Sequence, residues 1–168
     1  MSASYDFGKV QITKMVKTTF NKGQTCLDVG TGMGTYYWLF GDYLKMDGVE
    51  AFNDFIDKYE LDKLYEHLFN VNIKDLRYKW YDLIIFGDVI EHMSVEDAQQ
   101  VLEYACPRCA DMIVAVPYEL EQDAIEGNEY EIHLQPDLTP EIMEERYPYL
   151  ELVFRSDFYG YYHKRPQQ

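Results

Sequence analysis

The first feature of this sequence that could do chemistry is a glycine turn with a carboxylate just ahead of it. The pattern D-x-G-x-G-x-G places Asp28 before Gly30, Gly32 and Gly34, directly after a short apolar run. Glycine permits positive φ and lets a ligand approach the backbone with no Cβ in the way. A carboxylate at this turn suits an ammonium or hydroxyl group, because it would repel a pyrophosphate. The pattern predicts a nucleotide-like ligand over residues 30–34.

Two common nucleotide-binding loops do not fit this turn. The dinucleotide fingerprint G-x-G-x-x-G needs a third glycine where Thr35 stands, and the phosphate loop needs a glycine–lysine pair that the turn lacks. These mismatches disfavour a nucleotide-binding oxidoreductase. An ordinary strand-to-helix turn with no ligand stays open as the alternative.

The cysteines predict neither a metal site nor a disulfide framework. The pair C-P-R-C at 106–109 has the spacing of zinc ligands, but the sequence has no second pair to complete a four-ligand site. The total of three cysteines is odd, which argues against an extracellular disulfide framework. We therefore predict no metal site.

Alternating strand-like and helix-like segments must position these groups. Apolar β-prone runs predict strands at 25–29, 45–50, 67–73, 81–87 and 110–117. Apolar stripes with helical spacing, and two helix-capping patterns, predict helices at 10–20, 34–44, 51–65, 94–105 and 139–147. Residues 150–165 alternate around a serine–aspartate pair and predict a hairpin. Apolar strands alternating with helices predict an α/β fold with a parallel sheet covered on both faces.

Two segments resemble the class I S-adenosylmethionine-dependent methyltransferases. The segment "LDVGTGMG" is similar to their first motif, and "YDLIIFGDVIEHM" is similar to the segment at their fourth strand. The resemblance covers about residues 20–165 and implies a three-layer, Rossmann-like α/β fold in a single domain over 1–168. Its sheet would be seven-stranded and mostly parallel, with an antiparallel C-terminal hairpin.

The resemblance also implies S-adenosylmethionine as the cofactor, with S-adenosylhomocysteine as its product. The glycine turn would leave room for the methionine part, and Asp28 would hold the network around its ammonium. Glu50 would accept both ribose hydroxyls, which suits a carboxylate. Asn72, where the family often has an aspartate, would meet the adenine. The full set of implied cofactor-binding residues is Asp28, Gly30, Thr31, Gly32, Gly34, Glu50, Ala51, Asn72, Ile73, Gly87 and Asp88.

The implied reaction is methyl transfer to a hydroxyl or amine of a small molecule, such as a sugar or metabolite. A hydroxyl acceptor needs a base, and we predict His133, Asp88 and His92 for this role, in that order. Glu91 and His92 have a structural alternative, in which they only fix their loop. The alternative for the whole chain is a non-catalytic cofactor- or protein-binding module of the same fold.

An acidic segment follows the strand predicted at 110–117. Residues 117–145 contain ten acids and no lysine or arginine. We predict that 117–138 forms a substrate lid that places Tyr118, Tyr130 and His133 over the methyl group. The surrounding acids should then raise the pKa of His133 by stabilising the imidazolium. A solvated acidic segment with no substrate contact is the alternative.

Composition limits the partners and the compartment. The formal net charge of −15 would repel DNA or RNA, so we predict no nucleic-acid partner. The sequence contains no apolar run of about 18 residues and starts without an apolar signal core, which predicts an acidic cytoplasmic protein with no membrane association. The expected partner is a small-molecule substrate, and the short chain leaves room for a homodimer or a partner subunit that completes the pocket.

Overall fold

The computed structural model describes residues 7–125 and 127–165, and strands alternate with helices through most of this part of the chain. Its strands are β1 Thr25–Val29, β2 Lys45–Glu50, β3 Leu68–Asn70, β4 Tyr81–Gly87, β5 Cys109–Pro117, β6 Leu150–Arg155 and β7 Tyr159–Lys164. Its α-helices are α1 Lys9–Thr19, α2 Thr35–Phe40, α3 Asn53–Tyr59, α4 Val95–Ala105 and α5 Pro140–Arg146. Short 3-10 turns lie at Leu61–Lys63, Ile90–His92, Cys106–Arg108 and Glu129–Glu131.

The strands form one seven-stranded sheet in the order β3-β2-β1-β4-β5-β7-β6. The first five strands in this order are parallel, and β7 runs antiparallel to both β5 and β6. This topology confirms the predicted fold class, including the C-terminal hairpin. The strand order reverses between β1 and β4, and in open α/β sheets ligands bind outside the carboxyl ends of the strands at this point.

Alternate residues of the central strands feed two separate hydrophobic cores. In β4, Ile84 and Phe86 pack on one face with residues of α4 and α5, whereas Leu83 and Ile85 pack on the other face with residues of α1 and α2. All four side chains are fully buried, and each burial stabilises the fold by about 1.5–3 kcal/mol. The sheet is therefore the middle of three layers.

The predicted caps of α4 and α5 are confirmed. Ser94 Oγ accepts a hydrogen bond from the Asp97 amide at 3.1 Å, and Thr139 Oγ1 accepts one from the Ile142 amide at 3.2 Å. Each cap satisfies one of the amides that the first turn of a helix leaves unpaired, and is worth about 1 kcal/mol.

Three predicted elements are shorter in the structure. The helix predicted at 51–65 stops at Tyr59, because Glu60 adopts a left-handed backbone with φ of 50°. The helix predicted at 34–44 stops at Phe40, where the chain turns back toward β2, and the strand predicted at 67–73 is reduced to β3. Within the described residues, no helix is long and apolar enough to cross a lipid bilayer.

Candidate active site

A cavity of about 590 Å³ opens at the carboxyl ends of β1, β2 and β4. The glycine turn and Glu50 contribute to its wall, as do Asp88 and His92 after β4, and Tyr130 comes from the acidic segment. Its volume is in the range of pockets that hold small molecules and cofactors. The predicted site residues that line it are Gly30, Gly32, Glu50, Ala51, Asn72, Ile73, Asp88 and His92.

The Glu50 carboxylate is tied to the glycine turn. One of its oxygens, Oε2, accepts hydrogen bonds from the Gly32 amide at 2.9 Å and the Thr31 hydroxyl at 3.3 Å, and Oε1 accepts from the Phe52 amide at 2.9 Å. Burial raises the pKa of Glu50, and these three hydrogen bonds oppose the rise. An ionised carboxylate offers about four lone-pair sites, so Glu50 can still accept a hydrogen bond from a ligand.

The turn requires glycine for its own geometry. Gly30, Gly32 and Gly34 have φ of 69°, 52° and 79°, a region that side chains other than glycine rarely adopt. A Cβ on Gly30 would also lie 2.6 Å from a methyl carbon of Val89. The glycines therefore shape the turn and make room for protein packing, and two of them, Gly30 and Gly32, also face the cavity.

Asp28 lies behind the lining of the cavity and is fully buried. Its Oδ2 accepts a hydrogen bond from the Tyr65 hydroxyl at 2.6 Å, while Oδ1 has no hydrogen-bond partner among the described residues. Burial raises the pKa of Asp28 to about 7; the Tyr65 hydrogen bond lowers it, and the nearby Glu50 carboxylate adds to the rise. Thr31, Gly34 and Gly87 are the other predicted cofactor residues that do not line the cavity.

The residues after β3 and β4 are held in defined positions. Asn72 lines the cavity, but its Oδ1 accepts from the Lys74 amide at 3.0 Å, which uses one of the lone pairs that adenine could use. Asp88 has a left-handed φ of 56°, and its Oδ1 accepts from the Tyr159 hydroxyl at 2.7 Å. Backbone strain of this kind in a non-glycine residue clusters at functional sites.

Gly87 provides space for an aromatic ring. A Cβ at this position would lie 2.0 Å from a ring carbon of Tyr36, a buried side chain that also contacts Phe40. We expect Gly87→Ala to lower the free energy of unfolding by about 1–3 kcal/mol, because the Tyr36 ring must shift within a packed core. Urea denaturation measures this change. The control is a double-mutant cycle with Tyr36→Leu, in which the cost of the alanine should fall. If Gly87→Ala instead keeps its stability and loses cofactor affinity, Gly87 belongs to the ligand site.

Part of the acidic segment lines the cavity, but two of the three residues predicted to face the methyl group do not. His133 does not line the cavity; its ring lies against that of His92, with a centroid distance of 4.8 Å. Tyr118 is buried and shares a 2.5 Å hydrogen bond with Tyr162, so it packs in the core. Of the three predicted lid residues, only Tyr130 lines the cavity, and it is 53% exposed.

The predicted rise in the pKa of His133 is wrong. Burial lowers this pKa, and the hydrogen bond to the Leu120 carbonyl and the charge of Glu131 only oppose that effect. The prediction counted the acids of the segment, but the sequence did not show that the His133 imidazole is partly buried. Burial and the neighbouring His133 lower the pKa of His92 further, to about 4.

Several lining residues carried no sequence signal of their own. Phe52 and Phe55 lie beside Glu50, and Leu134 and Met93 lie near His92. The position of Phe52 just after the ribose-binding candidate could have pointed to it. Leu134 could not be identified in this way, because only the fold brings the acidic segment to the residues after β4.

Comparison with solved structures supports the same fold. An S-adenosylmethionine-dependent methyltransferase from Clostridium acetobutylicum superposes with a TM-score of 0.71 at 13% identity, covering 96% of this chain and 92% of that one. The DhpI–SAM–HEP complex gives a TM-score of 0.75 at 11% identity, covering 96% and 86%. The plantazolicin methyltransferase BpumL, in complex with SAH, gives 0.68 at 12% identity, covering 95% and 82%. The sequence matches no protein-family model and no curated protein sequence.

The chain therefore has the fold of the class I S-adenosylmethionine-dependent methyltransferases. The fold that the glycine turn and the segment around the end of β4 predicted by their resemblance to this family is thus confirmed.

Proposed function

We propose that this protein is a methyltransferase that uses S-adenosylmethionine and methylates a hydroxyl or amine of a small molecule. The observation that carries the proposal is the Glu50 carboxylate, which bonds to the glycine turn and lines the same cavity as Asn72, Ile73 and Asp88. The resemblance assigns the glycine turn to the methionine part of the cofactor, Glu50 to the ribose, and Asn72 and Ile73 to the adenine. It places Asp88 beside the methyl group. Asp28 Oδ1 is buried and has no hydrogen-bond partner among the described residues. It could therefore accept a hydrogen bond from the network around the cofactor's ammonium.

The residues of this chain have separate tasks in that reaction. When bound, the cofactor supplies a methyl group activated by a sulfonium charge. Glu50 would bind the ribose, and Asn72 and Ile73 would contact the adenine. Asp88 and His92 line the cavity, so either is better placed than His133 to take a proton from an acceptor hydroxyl. The carboxylates around the cavity favour a cationic cofactor and a neutral or cationic acceptor.

The proposal is tested by binding and by transfer. S-adenosylhomocysteine at 100 times its dissociation constant should stabilise the fold by about 2.7 kcal/mol. Cofactor with a labelled methyl group should pass the label to at least one member of a panel of sugars and metabolites. Binding without transfer to any acceptor would support the non-catalytic module. Binding of NAD, with no calorimetric signal for S-adenosylhomocysteine, would contradict the proposal.

A further inference from the structure

Three side chains with metal-ligating atoms meet beside the cavity. Glu91 and His92 belong to the 3-10 turn after β4, and His133 lies in the segment that leads to α5. One carboxylate oxygen and one nitrogen from each imidazole all lie within 4.8 Å of one another. The amides of Leu134 and Gln135 donate to the Glu91 carbonyl at 2.8 and 3.0 Å, which fixes the two segments together.

The Glu91 carboxylate lacks a partner in this arrangement. Its residue is 1% exposed, and neither carboxylate oxygen has a hydrogen-bond partner among the described residues. An ionised carboxylate in such a place is costly unless a cation pairs with it.

Each of the two imidazoles lies against a backbone carbonyl. His133 Nδ1 lies 2.7 Å from the Leu120 carbonyl oxygen, and His92 Nδ1 lies 3.3 Å from the Ile132 carbonyl oxygen. A carbonyl only accepts, so each Nδ1 carries a proton and each Nε2 keeps its lone pair. Metal-binding histidines use this device to fix the tautomer and the ring.

We propose that Glu91, His92 and His133 bind one divalent transition-metal ion. Two imidazoles and a carboxylate suit Zn²⁺, Fe²⁺ or Mn²⁺ better than Ca²⁺, which prefers oxygen ligands alone. Ligand distances of about 2.0–2.2 Å require the three side chains to draw together by about 1 Å. The proposed site differs from the sequence-based prediction of no metal site, and it would make His92 and His133 ligands in place of bases.

The metal would face the methyl-transfer cavity. Three protein ligands leave coordination positions open, and His92 is a cavity-lining residue, so these positions are reached from that side. An acceptor hydroxyl bound there would lose its proton more readily, because a metal lowers the pKa of a bound oxygen. This consequence rests on the proposed function and narrows the acceptor to a hydroxyl, whereas the metal site itself does not depend on it.

The experiment measures the metal alone. Untagged full-length protein is stripped with a chelator and titrated with Zn²⁺ by calorimetry, and with Co²⁺ by visible absorption. We expect one ion per chain in the wild type. Glu91→Gln and His133→Gln should each weaken binding by about 10²-fold or more. Urea unfolding of the metal-free variants checks that both remain folded.

His163 provides a matched control. Its Nδ1 lies 3.4 Å from Asp111 and its Nε2 lies 3.6 Å from Glu151, so it also combines an imidazole with two carboxylates, at the β6–β7 hairpin. His163→Gln should bind Zn²⁺ as the wild type does. The proposed site would be overturned if Glu91→Gln bound Zn²⁺ as tightly as the wild type. It would also be overturned if only His163→Gln lost Zn²⁺ affinity.

Calorimetry with S-adenosylhomocysteine separates this inference from the proposed function. Binding of S-adenosylhomocysteine by a protein that takes up no metal would overturn the metal site and leave the methyltransferase proposal standing. Uptake of one ion that depends on Glu91 and His133, by a protein that does not bind S-adenosylhomocysteine, would support the metal site and contradict the proposed function.

Discussion

Glu50→Ala is expected to weaken the binding of S-adenosylhomocysteine by about 10²-fold or more. A hydrogen bond to a charged group contributes about 1.5–3 kcal/mol, and the ribose would lose this carboxylate acceptor. The same substitution removes the acceptor for the Gly32 and Phe52 amides, so the turn also loses its anchor. Isothermal titration calorimetry measures the affinity directly.

Glu129→Gln is the matched control for this experiment. Glu129 lines the same cavity, but it is exposed and belongs to the acidic segment. Its substitution removes one negative charge from the cavity without touching the glycine turn, so affinity should change little. If the two variants lose affinity equally, the effect comes from overall charge and the ribose role of Glu50 is wrong. Urea midpoints for both variants show whether Glu50→Ala stays folded.

The sheet could be predicted because its signals are local. The segments that form β1, β4 and β5 are too apolar for a sheet with one solvent-exposed face, so they predict a sheet covered on both faces. The glycine turn marks the end of the first strand. Helix lengths were less accessible. The segment "YELDKL" does not predict that α3 ends at the left-handed φ of Glu60, because the apolar residues after Glu60 continue the spacing of a helix.

The environment of each site residue was harder to predict than its position. The sequence indicated Glu50 and Asp88 at strand ends, and both line the cavity. It also indicated His133, but the sign of its pKa shift depends on burial, which comes from packing between segments distant in the chain. For the same reason the sequence showed Glu91 and His92 as neighbours without showing that His133 joins them.

The pH dependence of stability should reveal Asp28. Its pKa is about 7 in the folded protein, where burial is the main cause, against an ordinary 3.8. The folded state therefore holds a proton that the unfolded state releases between pH 4 and pH 7. This contribution to stability is fully present below pH 4 and is lost as the pH rises through 7. At 1.36 kcal/mol per pH unit the whole loss is about 4 kcal/mol, of which about 3 kcal/mol falls between pH 5 and pH 8.

Asp28→Asn removes this titration and keeps an oxygen that can accept from Tyr65. The difference in unfolding free energy between the variant and the wild type, measured in urea, should therefore grow in favour of the variant by about 3 kcal/mol from pH 5 to pH 8. Taking the difference cancels titrations that are the same in both proteins. Cys26 and Tyr36 also face Asp28, and burial raises the pKa of each, so they stay neutral over this range.

Asp82→Asn is the control, because Asp82 shifts in the opposite direction. Burial raises the pKa of Asp82, but hydrogen bonds from Thr25 and Gln24 outweigh it and hold the pKa below its ordinary value. The stability that Asp82 contributes is present above its unfolded pKa and is lost only in more acid solution. Its variant should therefore differ from the wild type by a constant amount between pH 5 and pH 8. A difference for Asp28→Asn that is equally flat would mean that the buried carboxylate is ionised throughout, and that the turn reaches it with a donor or with water.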